Sequence, residues 1–83
     1  MPVLQDGSLV DMQSGTTYTL SRVRIHEPEK LRYLGELGLY PGARFELVSQ
    51  APFKGPVRIR LDWQELVLGY DLAAGLFVEE TSG

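Results

Sequence analysis

The stretch "ELGLYPG", Glu36 to Gly42, decides the fold of this 83-residue chain. A helical pattern stops there at one glycine, and Pro-Gly follows at once. Upstream, "EPEKLRYLGELG" spaces Leu31, Leu34 and Leu37 three apart, which is one stripe of a short helix and is expected to face the core. Pro28 suits the first turn, Glu27 and Glu29 put negative charge at the positive end of the helix dipole, and Gly38 supplies the left-handed residue that closes a helix. Gly35 inside the helix costs about 1 kcal/mol relative to alanine, so a close backbone approach is expected there. In "YPG", proline presets φ and glycine takes the positive φ of a type II turn. The chain must end a helix, reverse and enter a strand within four residues, which gives Gly38, Pro41 and Gly42 a structural turn role.

Working outward, "ARFELVSQ" (43–50) alternates Phe45 and Leu47 against Arg44, Glu46 and Val48, and "PVRIRLD" (56–62) alternates Val57, Ile59 and Leu61 against Arg58 and Arg60. Both patterns predict strands. "APFKGP" between them is a loop with Phe53 near its tip. "ELVLG" and "LFVEE" predict two more strands, with one helical turn in the intervening "YDLAAG". On the N-terminal side, "TYTLSRVRI" (17–25) places Tyr18 and Leu20 on one parity and Val23 and Ile25 on the other, so a bulge near Ser21 or Arg22 is expected. Residues 1–11 have no sustained period and are expected to form a tail or linker, the domain running from 12 to 80 and a short tail from 81 to 83. Five short strands and one or two short helices predict a mainly β fold, a small β-barrel or strongly bent sheet.

Composition narrows the function. With 43% hydrophobic and 23% charged residues the chain is an ordinary globular domain, and without cysteine it has neither disulfides nor thiolate sites. The reducing cytoplasm is the expected compartment, since neither a leader pattern nor a run of eighteen apolar residues is present, and membrane insertion is not expected. All eight Lys and Arg lie between Arg22 and Arg60 with only four of the eleven acids. Arg58 and Arg60 alternate with apolar residues, so a solvated sheet face explains this basic middle better than a nucleic-acid footprint.

Catalytic groups are scarce. With a single histidine, a Ser-His-Asp arrangement would have to run through His26, and no serine stands in a nucleophile-elbow context; an enzyme is not expected. His26 and Glu27 are candidate metal ligands, because nitrogen and oxygen donors suit iron, manganese or zinc. Consecutive residues seldom point at one ion, and a histidine beside a helix start is more often solvated. Tyr33, Tyr40, Phe53 and Trp63 are candidates for a partner-docking patch. For Trp63 two readings stand: an exposed anchor, or a cover for one open end of the barrel.

Taken together, "LRYLGELGLYPGARFELVSQAPFKGPVRIRL" and "LVLGYDLAAGLFVE" resemble the FeoA-type SH3-like domain family, over roughly Ser8 to Glu80. The resemblance implies a non-catalytic docking or regulatory module of bacterial iron or manganese homeostasis. "LRYL", "APFKGPV" and "LGYDLA" look most like the C-terminal domain of DtxR-type metal-dependent repressors. The alternative is the stand-alone FeoA accessory of the ferrous-iron transporter FeoB, and, in another class, a small barrel binding RNA or single-stranded DNA. The implied partner is accordingly a protein, the rest of a repressor chain or the cytosolic domain of FeoB, and direct nucleic-acid binding is not expected. In the repressor branch a glutamate and a glutamine three residues later can serve an ancillary metal site. Glu27 stands at the first position, but Lys30 stands at the second, and a protonated ammonium cannot ligate a cation. No cofactor is required by this reading, which leaves room only for weakly bound iron or manganese.

Overall fold

The computed structural model describes residues 6–81. Six strands, β1 (Gly7–Ser8), β2 (Thr16–Val23), β3 (Arg44–Gln50), β4 (Val57–Leu61), β5 (Gln64–Leu68) and β6 (Leu76–Glu80), form one antiparallel sheet in the order β1-β6-β2-β3-β4-β5. Helix α1 (Pro28–Leu37) joins β2 to β3, and the short α2 (Tyr70–Ala74) joins β5 to β6. Inward side chains from distant places in the strand order, Leu68 in β5, Phe45 in β3 and Val78 in β6, belong to a single core cluster. The sheet therefore wraps around one core in the manner of an SH3-like barrel.

The parity switch in β2 is a bulge. Leu20 pairs with Val78 and Arg22 with Phe77, so Ser21 is the extra residue. Tyr18 and Leu20 are buried before it, and Val23 and Ile25 pack against the core after it. The 36–42 punctuation braces this bulge. Gly38 has φ +90°, the Leu39 N–H donates to the Leu34 carbonyl at 2.9 Å and the Gly38 N–H to the Gly35 carbonyl at 3.1 Å, the paired bonds of a left-handed helix stop. Gly42 has φ +99° and the Ala43 N–H donates to the Tyr40 carbonyl at 2.9 Å, closing the type II turn. The Gly42 N–H then donates to the Leu20 carbonyl at 2.8 Å, and the Leu20 N–H to the Ala43 carbonyl at 2.7 Å. The turn is thus stitched to the bulged strand.

Four expectations are corrected. Residues 7–11 are not a tail: Gly7 and Ser8 pair with Val78 and Phe77, a 3₁₀ turn follows at Leu9–Asp11, and Leu9 is fully buried. Two-residue pairing has no readable period, and residues 1–5 lie outside the described residues. At the other end Thr81 is tied to β2, its N–H donating to the Thr17 carbonyl at 3.1 Å and its hydroxyl bonding that of Thr19 at 2.6 Å, while 82–83 lie outside the described residues. In the Leu31, Leu34, Leu37 stripe only Leu34 is buried and Leu31 is 41% exposed, because α1 meets the core through its C-terminal half. The close-approach glycine is Gly75 rather than Gly35: a Cβ on Gly75 would lie 2.5 Å from Ile25 Cγ1, whereas one on Gly35 would meet nothing within 4 Å.

Candidate docking surface

Between β3 and β4 the chain reverses through Pro52, Phe53, Lys54 and Gly55. Phe53 and Lys54 both take φ +59°, and the Gly55 N–H donates to the Pro52 carbonyl at 3.1 Å. Two consecutive left-handed residues are the signature of the tight mirror-image turn that usually carries Asn-Gly. Each L-residue held there costs about 1–2 kcal/mol. Phe53 is 98% exposed, so no burial within the described residues offsets that cost.

Beside this turn, Lys30, Lys54, Gly69, Tyr70, Asp71 and Leu72 line an open cleft of about 490 Å³. Here the start of α1, the loop tip and the start of α2 converge. Reading the sequence found Phe53 but missed Lys54, Tyr70 and Asp71. The "PFKG" tetrapeptide carried the signal, since a tight turn that brings out Phe53 must also bring out its neighbour.

The four candidate aromatics do not form one patch. Phe53 precedes β4 and Trp63 follows it, so the length of that strand, about 13 Å, separates the two turns. Trp63 is 88% exposed, which rejects the reading of it as a barrel cover. It sits in a two-residue hairpin after Asp62, which has φ +58°. Tyr40 is exposed in the turn after α1, and Gly38, two residues before it, lies against Leu61 next to the Trp63 hairpin. Tyr33 is about half exposed on α1.

His26 and Glu27 are exposed and immediately precede α1. The Glu27 carboxylate is held by the Lys30 ammonium at 2.7 Å; this hydrogen bond and the charge beside it lower the Glu27 pKa and raise that of Lys30. Among the described residues no group of three or more His, Asp or Glu side chains is arranged to hold an ion. At His26 and Glu27 the carboxylate is already engaged by Lys30, so these two residues do not by themselves assemble a metal centre.

Four of the eight basic residues, Arg22, Lys30, Arg58 and Arg60, are engaged by carboxylates. Arg22 pairs with Asp6 at 2.9 Å, and Arg60 with Glu65 at 3.2 Å and Glu46 at 3.6 Å. Arg22 and Arg24 also lie over the Phe77 ring, 5.0 and 5.4 Å from its centroid. These contacts are those of a solvated sheet face. The buried Tyr18 hydroxyl is satisfied by the Gln13 backbone, and among the described residues no buried side-chain nitrogen or oxygen is left without a partner.

A family model described as "FeoA domain" matches residues 7–80. The chain belongs to the FeoA domain family. The FeoA match begins at β1, in keeping with the place of residues 7–11 in the fold. Among solved structures the domain is similar to a manganese-dependent transcriptional repressor, with TM-score 0.86, 24% identity, and coverage of 96% of this chain and 44% of that one. It is similar to a crystal structure of the iron uptake regulatory protein FeoA, with TM-score 0.81, 23% identity, and coverage of 94% and 100%. A FeoA protein from Chlorobium tepidum, solved in solution, gives TM-score 0.80 at 26% identity, covering 92% of this chain and 71% of that one. The chain spans less than half of the repressor it matches. No curated protein sequence matches it significantly. No helix among the described residues is long and apolar enough to cross a membrane.

Proposed function

We propose that this FeoA domain is a non-catalytic docking module of iron or manganese homeostasis that works in the cytoplasm by protein contact, in the way of a C-terminal domain of a DtxR-type repressor. The observation that carries the reading is the strained turn presenting Phe53 beside the Lys30, Lys54 and Tyr70 cleft. A turn optimised for stability alone would carry Asn-Gly there; this one carries an aromatic and a lysine, the residue types that anchor an interface and set its charge.

A second reading is supported by the FeoA crystal structure, which the domain matches over its entire length. The partner would then be the cytosolic domain of a ferrous-iron transporter. Titration calorimetry with two probes, a repressor's DNA-binding and dimerisation portion and a FeoB cytosolic domain, separates the readings. The cognate probe is expected to bind, and Phe53→Ala to weaken it at least tenfold with unchanged circular dichroism. Binding to neither probe, or binding indifferent to Phe53→Ala, refutes docking through this surface.

A further inference from the structure

The start of α1 holds a cation that the helix itself does not call for. Lys30 stands in the first turn, at the positive end of the helix dipole, where a positive charge is disfavoured. Glu27, the residue that opens the helix, makes no side-chain bond to the backbone N–H groups there. Its carboxylate is given to the Lys30 ammonium instead, at 2.7 Å.

Negative charge reaches this ammonium from two elements. Asp71, in the first turn of α2, lines the same cleft as Lys30, and its charge acts on the ammonium together with that of Glu27. His26, exposed, adjoins Glu27. Carboxylate and imidazole donors suit a divalent ion such as manganese, and a repressor of this fold was solved in complex with manganese. In this chain no three of these donors are grouped around one point among the described residues, and the positive charge that Glu27 meets is covalently attached.

We propose that the Lys30 ammonium is a tethered substitute for a divalent cation at Glu27, supplying the positive charge between α1 and α2 and keeping manganese from that carboxylate. An ammonium has donors and no acceptor, so it satisfies Glu27 without being able to ligate a metal itself. A metal arriving there must displace it and then lie against its charge. The consequence rests on the docking reading above: the charge beside Phe53 stays the same whatever the metal supply.

Titration of the isotope-labelled 83-residue chain with manganese chloride alone, followed by NMR line broadening, tests the substitution. No partner is added, so the outcome is separate from that of the docking reading. Lys30→Gln removes the charge and sets an amide oxygen three residues after Glu27, on the same side of the first turn. Broadening of residues 26–30 is expected to need at least about tenfold less manganese in Lys30→Gln than in the wild-type chain, because the ion no longer meets a fixed positive charge. Lys30→Arg keeps the charge and is expected to behave as the wild type. Position 30 is exposed and both replacements are good helix formers, so circular dichroism is expected to be unchanged in each. Wild-type broadening centred on Glu27 at the manganese concentration that serves Lys30→Gln overturns the proposal, and so does a Lys30→Gln chain whose residues 26–30 stay as sharp as those of the wild type.

Discussion

Replacing Gly35 with alanine tests the account of α1 directly. Gly35 lies inside the Pro28–Leu37 helix, exposed, and a Cβ there would meet nothing within 4 Å. The methyl group therefore neither clashes nor fills a gap, and only backbone entropy and helix propensity change. Alanine exceeds glycine by about 1 kcal/mol in a helix interior, and by less near an end, so a gain of about 0.5–1 kcal/mol is expected. A domain of this size has an unfolding entropy near 0.17 kcal/mol/K, and the gain corresponds to a Tm about 3–6 °C higher. Differential scanning calorimetry of Gly35→Ala beside Gly75→Ala makes the comparison. The second change drives a Cβ to 2.5 Å from Ile25 Cγ1 and is expected to cost about 1–3 kcal/mol by overpacking. A fall in Tm for Gly35→Ala would show that a neighbour does approach this face of α1 and would refute the packing described.

Phe53→Asn with Lys54→Gly places the residues that a left-handed pair favours in the 52–55 turn; chemical denaturation is expected to show a gain of about 1–2 kcal/mol, while partner binding falls. Stability and binding moving together would contradict a turn strained for contact. Tyr18→Phe removes a hydroxyl that donates to the Gln13 carbonyl at 3.1 Å and accepts from the Gln13 N–H at 3.2 Å; a loss of about 1–2 kcal/mol in urea unfolding is expected, and no loss would mean that water replaces both bonds. The lowered pKa of Glu27 means that its pairing with Lys30 contributes stability above the ordinary glutamate value of 4.5 and loses it as pH falls through the folded-state value. A carboxyl NMR titration is expected to return to the ordinary midpoint in Lys30→Ala, and an unchanged low midpoint would assign the shift to another group.

Strand positions were legible because burial imposes alternation: Phe45, Leu47, Val57 and Ile59 are buried as their parity requires. The β2 bulge was legible because parity changed within one apolar run, and the turn because Gly38 and Gly42 each meet a backbone demand that few other residues satisfy. Leu9 was not legible. Its burial depends on α2 and β6, distant in sequence, and two-residue pairing leaves no pattern. The stripe at Leu31 misled because spacing reports which face of a helix is apolar, and says nothing about how far along that face the core extends. Phe53 and Trp63 were identifiable as loop aromatics, but their places at opposite ends of β4 required the hairpin register.

The pairing of β1 with β6 and the bonds from Thr81 to β2 have a mechanical consequence. Both points where the chain enters and leaves the described domain are bonded to β2, Asp6 to Ser21 and Thr81 to Thr19. A domain whose two described ends are bonded to one strand is connected to any flanking chain beside that strand. Within a larger assembly, the reach of Phe53 would be set by tether length and stiffness acting through effective concentration, and lengthening the tether would retune binding without altering a single contact.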